Sequence, residues 1–265
     1  MKMKLSDYIT LYKLARARLR SAEDYVRFQK FQASLLLEYI HSFGIDVNRG
    51  LVLDLGSGLG GYSQEIAKRC KAKVLSLDLI KPWQPLVEEG REGREVRILV
   101  ANALCIPLRD ESVDFVFCAS LMEHVNNPFS LLVEIKRVLK RGQHCYLSFP
   151  PFYSPLGGHE FSPFHYLGEK FALRLYRILK RTPPDWVVKI YKPSISSLSF
   201  SDIYQGWGLS KLTITKAIQI VQLVGLEIID ISPRYLPINT ARWPILGELL
   251  TWHVQFLLKK TEVDT

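Results

Sequence analysis

Residues 51–61 constrain the fold of this chain more than any other stretch. They read LVLDLGSGLGG, a short apolar run that ends in a cluster of glycines. Buried parallel strands have this apolar character, and glycines allow the backbone to turn sharply into the helix predicted for residues 62–69. The pattern predicts a strand, a loop and a helix, with the loop open to a ligand at the carboxyl ends of the strands.

The rest of the chain continues to alternate between strand and helix patterns. Further strands are predicted at residues 74–79, 96–100, 113–119, 145–149, 226–231 and 251–258, and helices at residues 128–139, 169–180 and 212–224. Two more helices are predicted between residue 5 and about residue 43, before the first strand. This alternation predicts a mainly parallel sheet with helices on both faces.

The length of 265 residues suits one α/β domain with an elaboration. Within that single domain we expect a helical lid at residues 1–44 and a ligand-binding core at 45–152. Proline, glycine and aromatic residues after the fifth strand predict an insertion at 153–209, and residues 210–265 are expected to return to the sheet.

The net charge of +9 is concentrated in two clusters. Residues 1–30 and 165–192 each carry a net charge of +5. Such clusters attract phosphates, nucleic acid or an anionic membrane. Charges at helical spacing are more often a solvated helix face, and this is the preferred explanation of each cluster taken singly. No RNA-binding module is visible, so we do not expect nucleic acid as the partner.

Other sequence features concern location and redox state. The first residues contain no apolar run of signal-peptide length, and Pro237, Arg242, Pro244, Glu248 and His253 interrupt the apolar stretch 236–258. We therefore expect a cytoplasmic protein without a transmembrane segment, with peripheral association at the inner membrane surface left open. The four cysteines form no CxxC pair, so we expect reduced thiols packed in the core.

The glycine loop by itself is compatible with two cofactors. Gly56, Gly58 and Gly61 satisfy the GxGxxG pattern of dinucleotide-binding proteins. The same stretch also resembles motif I of class I S-adenosylmethionine-dependent methyltransferases, the DxGxGxG loop, with Asp54, Gly56, Gly58 and Gly60 in place. That resemblance implies a Rossmann-like fold with a seven-stranded sheet. Asp54 favours it, because a carboxylate repels a pyrophosphate but attracts the ammonium group of a methionine moiety.

Downstream residues extend this resemblance to the type 11-like methyltransferases. It implies that Asp78, at the end of the second strand, binds the ribose hydroxyls, and that Asn102 stands where the family often has an aspartate for the adenine amino group. Leu79, Ala103 and Leu104 would form the walls around adenine, although each is equally explicable as a core residue. Ser57 and Ser120 complete the expected contacts with S-adenosylmethionine.

Glu123 and His124 follow the fourth strand in the segment SLMEHV. This segment is similar to the ELEH segment of ubiquinone-pathway O-methyltransferases, where the resemblance implies a role in binding a divalent metal. The match is partial, because Ser120 stands where that family has another acid. Packing or capping of the next helix is an equal alternative. We therefore predict a catalytic role for Glu123 and His124 and assign no metal site.

His159 lies in the segment PPFYSPLGGHEFSPFHYLG, directly after the fifth strand. Gly157 and Gly158 permit a tight turn that presents His159 to a substrate, so this histidine is our first candidate for a general base. A structural, hydrogen-bonded histidine is the alternative. His165 lies on the same loop, and no helical spacing supports a metal site formed by His159 and His165.

Together these features predict a methyltransferase that modifies a small-molecule, glycan or lipid-linked acceptor, with oxygen as the expected target. C- or N-methylation of a quinone, lipid or other metabolite is the alternative within the class. A non-catalytic nucleotide-binding regulator and an NAD-dependent oxidoreductase are the alternatives outside it.

Overall fold

The computed structural model describes residues 3–80, 96–179, 184–187 and 208–262. Its centre is one seven-stranded sheet in the order β3-β2-β1-β4-β5-β7-β6. Neighbouring strands from β3 to β5 are parallel, and β7 is antiparallel to both β5 and β6. The strands are β1 Leu51–Leu55, β2 Lys73–Asp78, β3 Val96–Val100, β4 Val113–Ala119, β5 Leu139–Phe149, β6 Glu227–Pro233 and β7 Val254–Lys259. The predicted Rossmann-like, mainly parallel sheet is confirmed.

The described part of the chain also contains α-helices and short 3-10 helices. The α-helices are α1 Leu5–Ala17, α2 Ala22–His41, α3 Gly61–Cys70, α4 Pro128–Val138, α5 Glu169–Ile178, α6 Ile214–Val224 and α7 Leu246–Leu250. The 3-10 helices are Met122–His124, His159–Phe161, Phe164–Leu167 and Thr240–Arg242. Two of these short helices carry the candidate catalytic residues.

Apolar side chains pack on both faces of the sheet. On one face, α4 and α6 contribute Ile135 and Val221 to the core. On the other, α2 and α3 contribute Leu36 and Ile66. Each fully buried side chain of this size contributes roughly 1.5–3 kcal/mol relative to an exposed one. The layers hold the strand ends, and therefore the site, in a fixed arrangement.

The two N-terminal helices differ in burial. Helix α1 contains no buried residue, whereas α2 buries ten of its residues. The N-cap residue of α2 is Ser21, whose side chain accepts a hydrogen bond from the backbone N–H of Asp24. Within the segment predicted as a lid, α2 is a core helix. The positive cluster of residues 165–192 lies partly outside the described residues. In the positive cluster of residues 1–30, residues 1 and 2 also lie outside them.

Two strands begin more than one residue away from the predicted start. Strand β5 begins at Leu139 and follows α4 directly, whereas its start was predicted at residue 145. The polar residues at its beginning hid this extension, which pairing of Leu139 with Val113 stabilises. Strand β7 begins at Val254 and not at residue 251, because the backbone N–H of Thr251 donates to the carbonyl of Gly247 at 3.0 Å and closes α7.

The cysteine prediction is wrong at one position. Cys70, Cys118 and Cys145 are buried, whereas Cys105 is exposed. Cys105 lies in the turn after β3, where its backbone N–H donates to the carbonyl of Asn102. Among the described helices, none combines the length and the apolar character needed to cross a membrane.

Candidate active site

The glycine loop is held between the end of β2 and the segment that follows β4. The backbone N–H groups of Gly56 and Ser57 donate to the carbonyl of Leu77, at 2.9 and 3.1 Å. Gly56 has a φ of +70°, and a Cβ there would lie 3.0 Å from the Leu121 side chain. The position therefore requires glycine for its conformation and for its close neighbour.

Gly58 and Asp78 form the open side of this loop. The N–H of Gly58 donates to Oδ2 of Asp78 at 2.8 Å, and the N–H of Ile80 donates to Oδ1 at 3.2 Å. A Cβ on Gly58 would meet nothing within 4 Å. Burial raises the pKa of Asp78 above its ordinary value. The loop thus leaves space above Gly58, beside a carboxylate whose oxygens can each accept a further hydrogen bond.

The residues predicted to surround adenine lie after β2 and β3. Leu79 is 60% exposed beside Asp78, whereas Ala103 is buried. The Asn102 side chain is exposed, and its Oδ1 accepts a hydrogen bond from the N–H of Leu104 at 2.9 Å. The exposed Leu79 side chain and the Asn102 amide lie at the ends of adjacent strands. Together they suit a flat ligand ring that is partly polar.

Asp54 and Ser120 occupy less open positions. Asp54 is 2% exposed and accepts a hydrogen bond of 2.5 Å from the Ser63 hydroxyl in α3. Burial raises the pKa of Asp54 to about 7. Ser120 has a φ of +57°, and its N–H donates to the Ser148 carbonyl at 2.8 Å. Asp54 therefore links β1 to α3, while Ser120 turns the chain at the end of β4.

Gly61 and Gly60 shape the start of α3. Gly60 is its N-cap residue with a φ of +76°. A Cβ on Gly61 would lie 2.5 Å from Cβ of Gln29, and the N–H of Gly61 donates to Oε1 of Gln29 at 3.3 Å. The third glycine of the GxGxxG pattern therefore permits close packing of α2.

Glu123, His124 and His159 come together at the carboxyl edge of the sheet. Oε1 of Glu123 lies 3.6 Å from Nε2 of His159 and 4.0 Å from Nε2 of His124. One ligand atom from each residue lies within 4.8 Å of the other two, so the three can hold a metal ion. The structure thus brings together all three predicted catalytic residues, although their roles remain predictions.

Glu123 is buried, and the side chains of His124 and His159 are partly buried, at 13% and 26% exposed. Among the described residues, neither carboxylate oxygen of Glu123 nor Nε2 of His159 has a hydrogen-bond partner. Burial raises the pKa of Glu123 to about 7 and lowers the pKa of both histidines. Neutral imidazoles therefore face the carboxyl group.

A backbone contact orients His124. Its Nδ1 lies 2.7 Å from the carbonyl oxygen of Gly208. A carbonyl can only accept, so Nδ1 carries the proton and Nε2 of the neutral ring keeps its lone pair. Nε2, which carries this lone pair, lies 4.0 Å from Oε1 of Glu123.

Gly157 and Gly158 position His159 through tight packing. A Cβ on Gly157 would lie 2.2 Å from the carbonyl oxygen of Pro151, and one on Gly158 would lie 2.2 Å from Nδ1 of His165. His159 has a φ of +48°. His165 is buried, with Nε2 3.0 Å from the Phe152 carbonyl, so it supports the loop from behind.

Sequence reasoning missed a buried arginine close to this edge. Arg234 is 1% exposed and donates to the Tyr62 hydroxyl at 2.6 Å. Its positive charge opposes the rise in the pKa of Glu123. Tyr62 and Arg234 are far apart in the sequence, and no local pattern distinguishes this arginine from those on the surface.

Comparison with known proteins identifies the class. A family model described as a methyltransferase domain matches residues 53–147. An uncharacterized methyltransferase of Mycobacteroides abscessus is 26% identical over 246 residues, which cover 87% of each chain. One of Mycobacterium tuberculosis is 39% identical over 87 residues, which cover 33% of each chain.

Solved structures share the fold at low sequence identity. Geranyl diphosphate C-methyltransferase from Streptomyces coelicolor has a TM-score of 0.52 and 14% identity, over 89% of this chain and 80% of that one. The [4+2]-cyclase SpnF has a TM-score of 0.51 and 15% identity, over 87% of this chain and 82% of that one. Because the second protein has a different activity, the fold alone does not specify the reaction.

The fold and the glycine loop define a nucleotide-binding α/β protein, and the matching family model and relatives specify which kind. The matching family model, the methyltransferase relatives and the fold together support a class I S-adenosylmethionine-dependent methyltransferase. Its open glycine loop, the Asp78 carboxylate and uncovered Leu79 fit that cofactor.

Proposed function

We propose that this methyltransferase acts on a hydroxyl oxygen of a small-molecule, glycan or lipid-linked acceptor. One observation carries the proposal: the buried carboxyl group of Glu123 lies 3.6 Å from Nε2 of His159 at the carboxyl edge of the sheet, and neither group has a hydrogen-bond partner among the described residues. A hydroxyl must lose its proton during methylation, whereas a neutral amine already offers a lone pair. A cluster able to take up that proton favours oxygen.

The cofactor, when bound, supplies an electrophilic methyl group on a positively charged sulfur. The acceptor oxygen forms a bond to the methyl carbon, the carbon–sulfur bond breaks, and sulfur keeps the electron pair. His159 is the candidate acceptor of the hydroxyl proton, since burial lowers its pKa and keeps the ring neutral. Glu123 would stabilise the resulting imidazolium through its charge.

Cofactor binding is proposed to follow the arrangement of the strand ends. Asp78 would accept hydrogen bonds from the ribose hydroxyls, and Gly58 would allow the ligand close to the backbone. Asn102 would contact the adenine amino group between Leu79, Ala103 and Leu104. Gly56, Ser57, Gly60 and Ser120 would shape the loop, with Asp54 supporting it from below or meeting the ammonium group.

Exposed apolar side chains support a large, partly apolar acceptor. In the described part of the insertion, Leu167 is 63% exposed and Phe171 is 46% exposed, on and beside α5. Basic side chains of the same helix, among them Lys170 and Arg174, would complement an anionic surface. Presentation of the acceptor at a membrane surface is part of the proposal.

Transfer of labelled methyl groups tests the reaction. The full-length protein is incubated with methyl-labelled cofactor and with separate lipid and glycan extracts, and NMR of the product locates the methyl group. The expected result is a methyl ether. A methyl group on nitrogen or carbon would overturn the proposal.

A histidine variant tests the site. His159→Ala is expected to lower the turnover rate by about 10²–10⁴-fold, the usual contribution of a general acid or base. Affinity for the cofactor should stay unchanged in calorimetry. His41→Ala, which changes an exposed histidine of α2, is the matched control. Unchanged turnover in His159→Ala would exclude this histidine from the reaction.

A further inference from the structure

The cluster of Glu123, His124 and His159 has the composition of a metal site. We infer that these three side chains bind one divalent transition-metal ion, such as Mn²⁺, Fe²⁺, Co²⁺ or Zn²⁺. The inference deepens the proposed function and rests on it for its catalytic meaning. Binding of the ion itself is independent of the acceptor.

The distances between the side chains suit a common ion. Ligand atoms about 2.1 Å from a tetrahedral ion are separated from one another by about 3.4 Å. Here the distances from Oε1 of Glu123 to the two Nε2 atoms are 3.6 and 4.0 Å, and all three atoms lie within 4.8 Å of one another. Small side-chain adjustments would bring them to a shared ion.

Unsatisfied atoms supply the second argument. Glu123 is 2% exposed, and among the described residues both of its carboxylate oxygens and Nε2 of His159 are without a hydrogen-bond partner. Leaving such groups unpaired in the interior is costly, and polar groups in native proteins are normally satisfied. A bound cation would satisfy them together.

The orientation of His124 supplies the third argument. Its Nδ1 donates to the carbonyl of Gly208 at 2.7 Å, so the lone pair of the neutral ring lies on Nε2. Metal-binding histidines commonly donate their other ring nitrogen to a backbone carbonyl or a carboxylate, and this contact fixes the tautomer. The His124 ring is already in the form that binds a metal.

The donor set indicates the class of ion. Two imidazoles and one carboxylate favour first-row transition metals, whereas Mg²⁺ and Ca²⁺ prefer oxygen ligands. Three protein ligands leave coordination positions open, as in catalytic sites. A hydroxyl bound to the ion would lose its proton more readily, and the proton would pass to water, because His159 would then be a metal ligand and not the proton acceptor.

Binding of Co²⁺ to untagged, chelator-treated, full-length protein tests the inference. We expect one Co²⁺ per chain by calorimetry, with a visible absorption spectrum of a coordinated ion, displacement by Zn²⁺ and little competition from Mg²⁺. Glu123→Gln and His159→Ala should each weaken binding more than about a hundredfold, since loss of an outer partner alone costs roughly 10–100-fold. His41→Ala should bind like the wild type.

Thermal unfolding of the metal-free proteins shows whether each variant is folded, and Glu123→Gln preserves the side-chain shape if His159→Ala does not fold. Absence of stoichiometric Co²⁺ binding, or binding that both variants retain, would overturn the inference. If the protein binds the metal but methylates nitrogen or carbon, the metal-site inference is supported and the proposed function is overturned. If the protein methylates a hydroxyl but binds no metal, the proposed function is supported and the metal-site inference is overturned.

Discussion

Glu123 places a carboxyl group in the interior without the partners that usually accompany one. Its backbone carbonyl accepts from the N–H of Ser210 at 2.7 Å, but the side-chain oxygens are unpaired among the described residues. Glu134 of α4 provides the contrast, since its carboxylate pairs with Arg137 at 2.7 Å and accepts from the N–H of Ile106. The two glutamates should respond oppositely to removal of their charge.

Glu123→Gln is expected to raise the stability of the metal-free protein at pH 8 by about 1 kcal/mol or more, because a buried unpaired charge is lost. Each kcal/mol corresponds to about 2–4 °C in Tm for a domain of this size. Thermal unfolding in the presence of a chelator measures the change. Glu134→Gln should lower the Tm, and a lower Tm for Glu123→Gln would contradict the interpretation.

Asp78→Ala is expected to weaken S-adenosylmethionine by about 10²-fold or more, because hydrogen bonds to a charged group are each worth about 1.5–3 kcal/mol. Calorimetry with the cofactor measures the loss. Asp110→Ala removes a carboxylate whose side chain is 74% exposed and should leave the affinity unchanged. Equal affinity in the two variants would exclude Asp78 from the cofactor site.

At the scale of elements, the loop between β1 and α3 serves two purposes through different glycines. Gly58 faces open space, whereas Gly61 lies against α2, with its absent Cβ only 2.5 Å from Cβ of Gln29. One position leaves room for a ligand, and the other allows two helices to approach.

Alanine at these positions should therefore separate binding from stability. Gly61→Ala is expected to lower the free energy of unfolding by about 1–3 kcal/mol through overpacking of α2 against α3. Gly58→Ala should cost about 1 kcal/mol, from its positive φ alone, while weakening cofactor binding strongly. Urea unfolding and calorimetry on both variants provide the comparison, and a more destabilised Gly58→Ala would contradict it.

For the whole molecule, Asp54 makes stability depend on pH. Its folded pKa of about 7 lies above the unfolded value, so the folded state keeps a proton that the unfolded state releases. Its contribution is fully present below about pH 4 and is lost as pH rises towards about 7. The cause is burial, which the hydrogen bond from Ser63 offsets only partly.

Asp54→Asn is expected to flatten the fall in stability between pH 5 and pH 8 by an amount on the order of a few kcal/mol. Urea unfolding of the cofactor-free and metal-free proteins across this range measures the difference. Glu134→Gln on α4 serves as a control that should keep the wild-type slope, because the hydrogen bond from Arg137 lowers the pKa of Glu134. An Asp54→Asn slope equal to that of the wild type would show that Asp54 is already ionised throughout.

Local pattern predicted much of the fold because several strands are short apolar runs with clear ends. Strands β1, β3 and β4 have the predicted bounds. The start of β5 was missed because Lys140 and Arg141 are polar and pair with residues distant in the sequence, as Lys140 does with Asp114 at 2.6 Å. Long-range pairing therefore decided the boundary that local pattern did not contain.

The sequence by itself determined the fold class and the cofactor, because a strand, a glycine turn and the acid at the next strand end are local features in a fixed order. Only the tertiary structure placed His159 beside Glu123, 3.6 Å away, and brought Arg234 to Tyr62. These contacts depend on how the segment after β5 packs across the sheet edge. They also depend on which polar groups find a hydrogen-bond partner once they are buried. Both depend on burial and distance, which the order of residues does not specify.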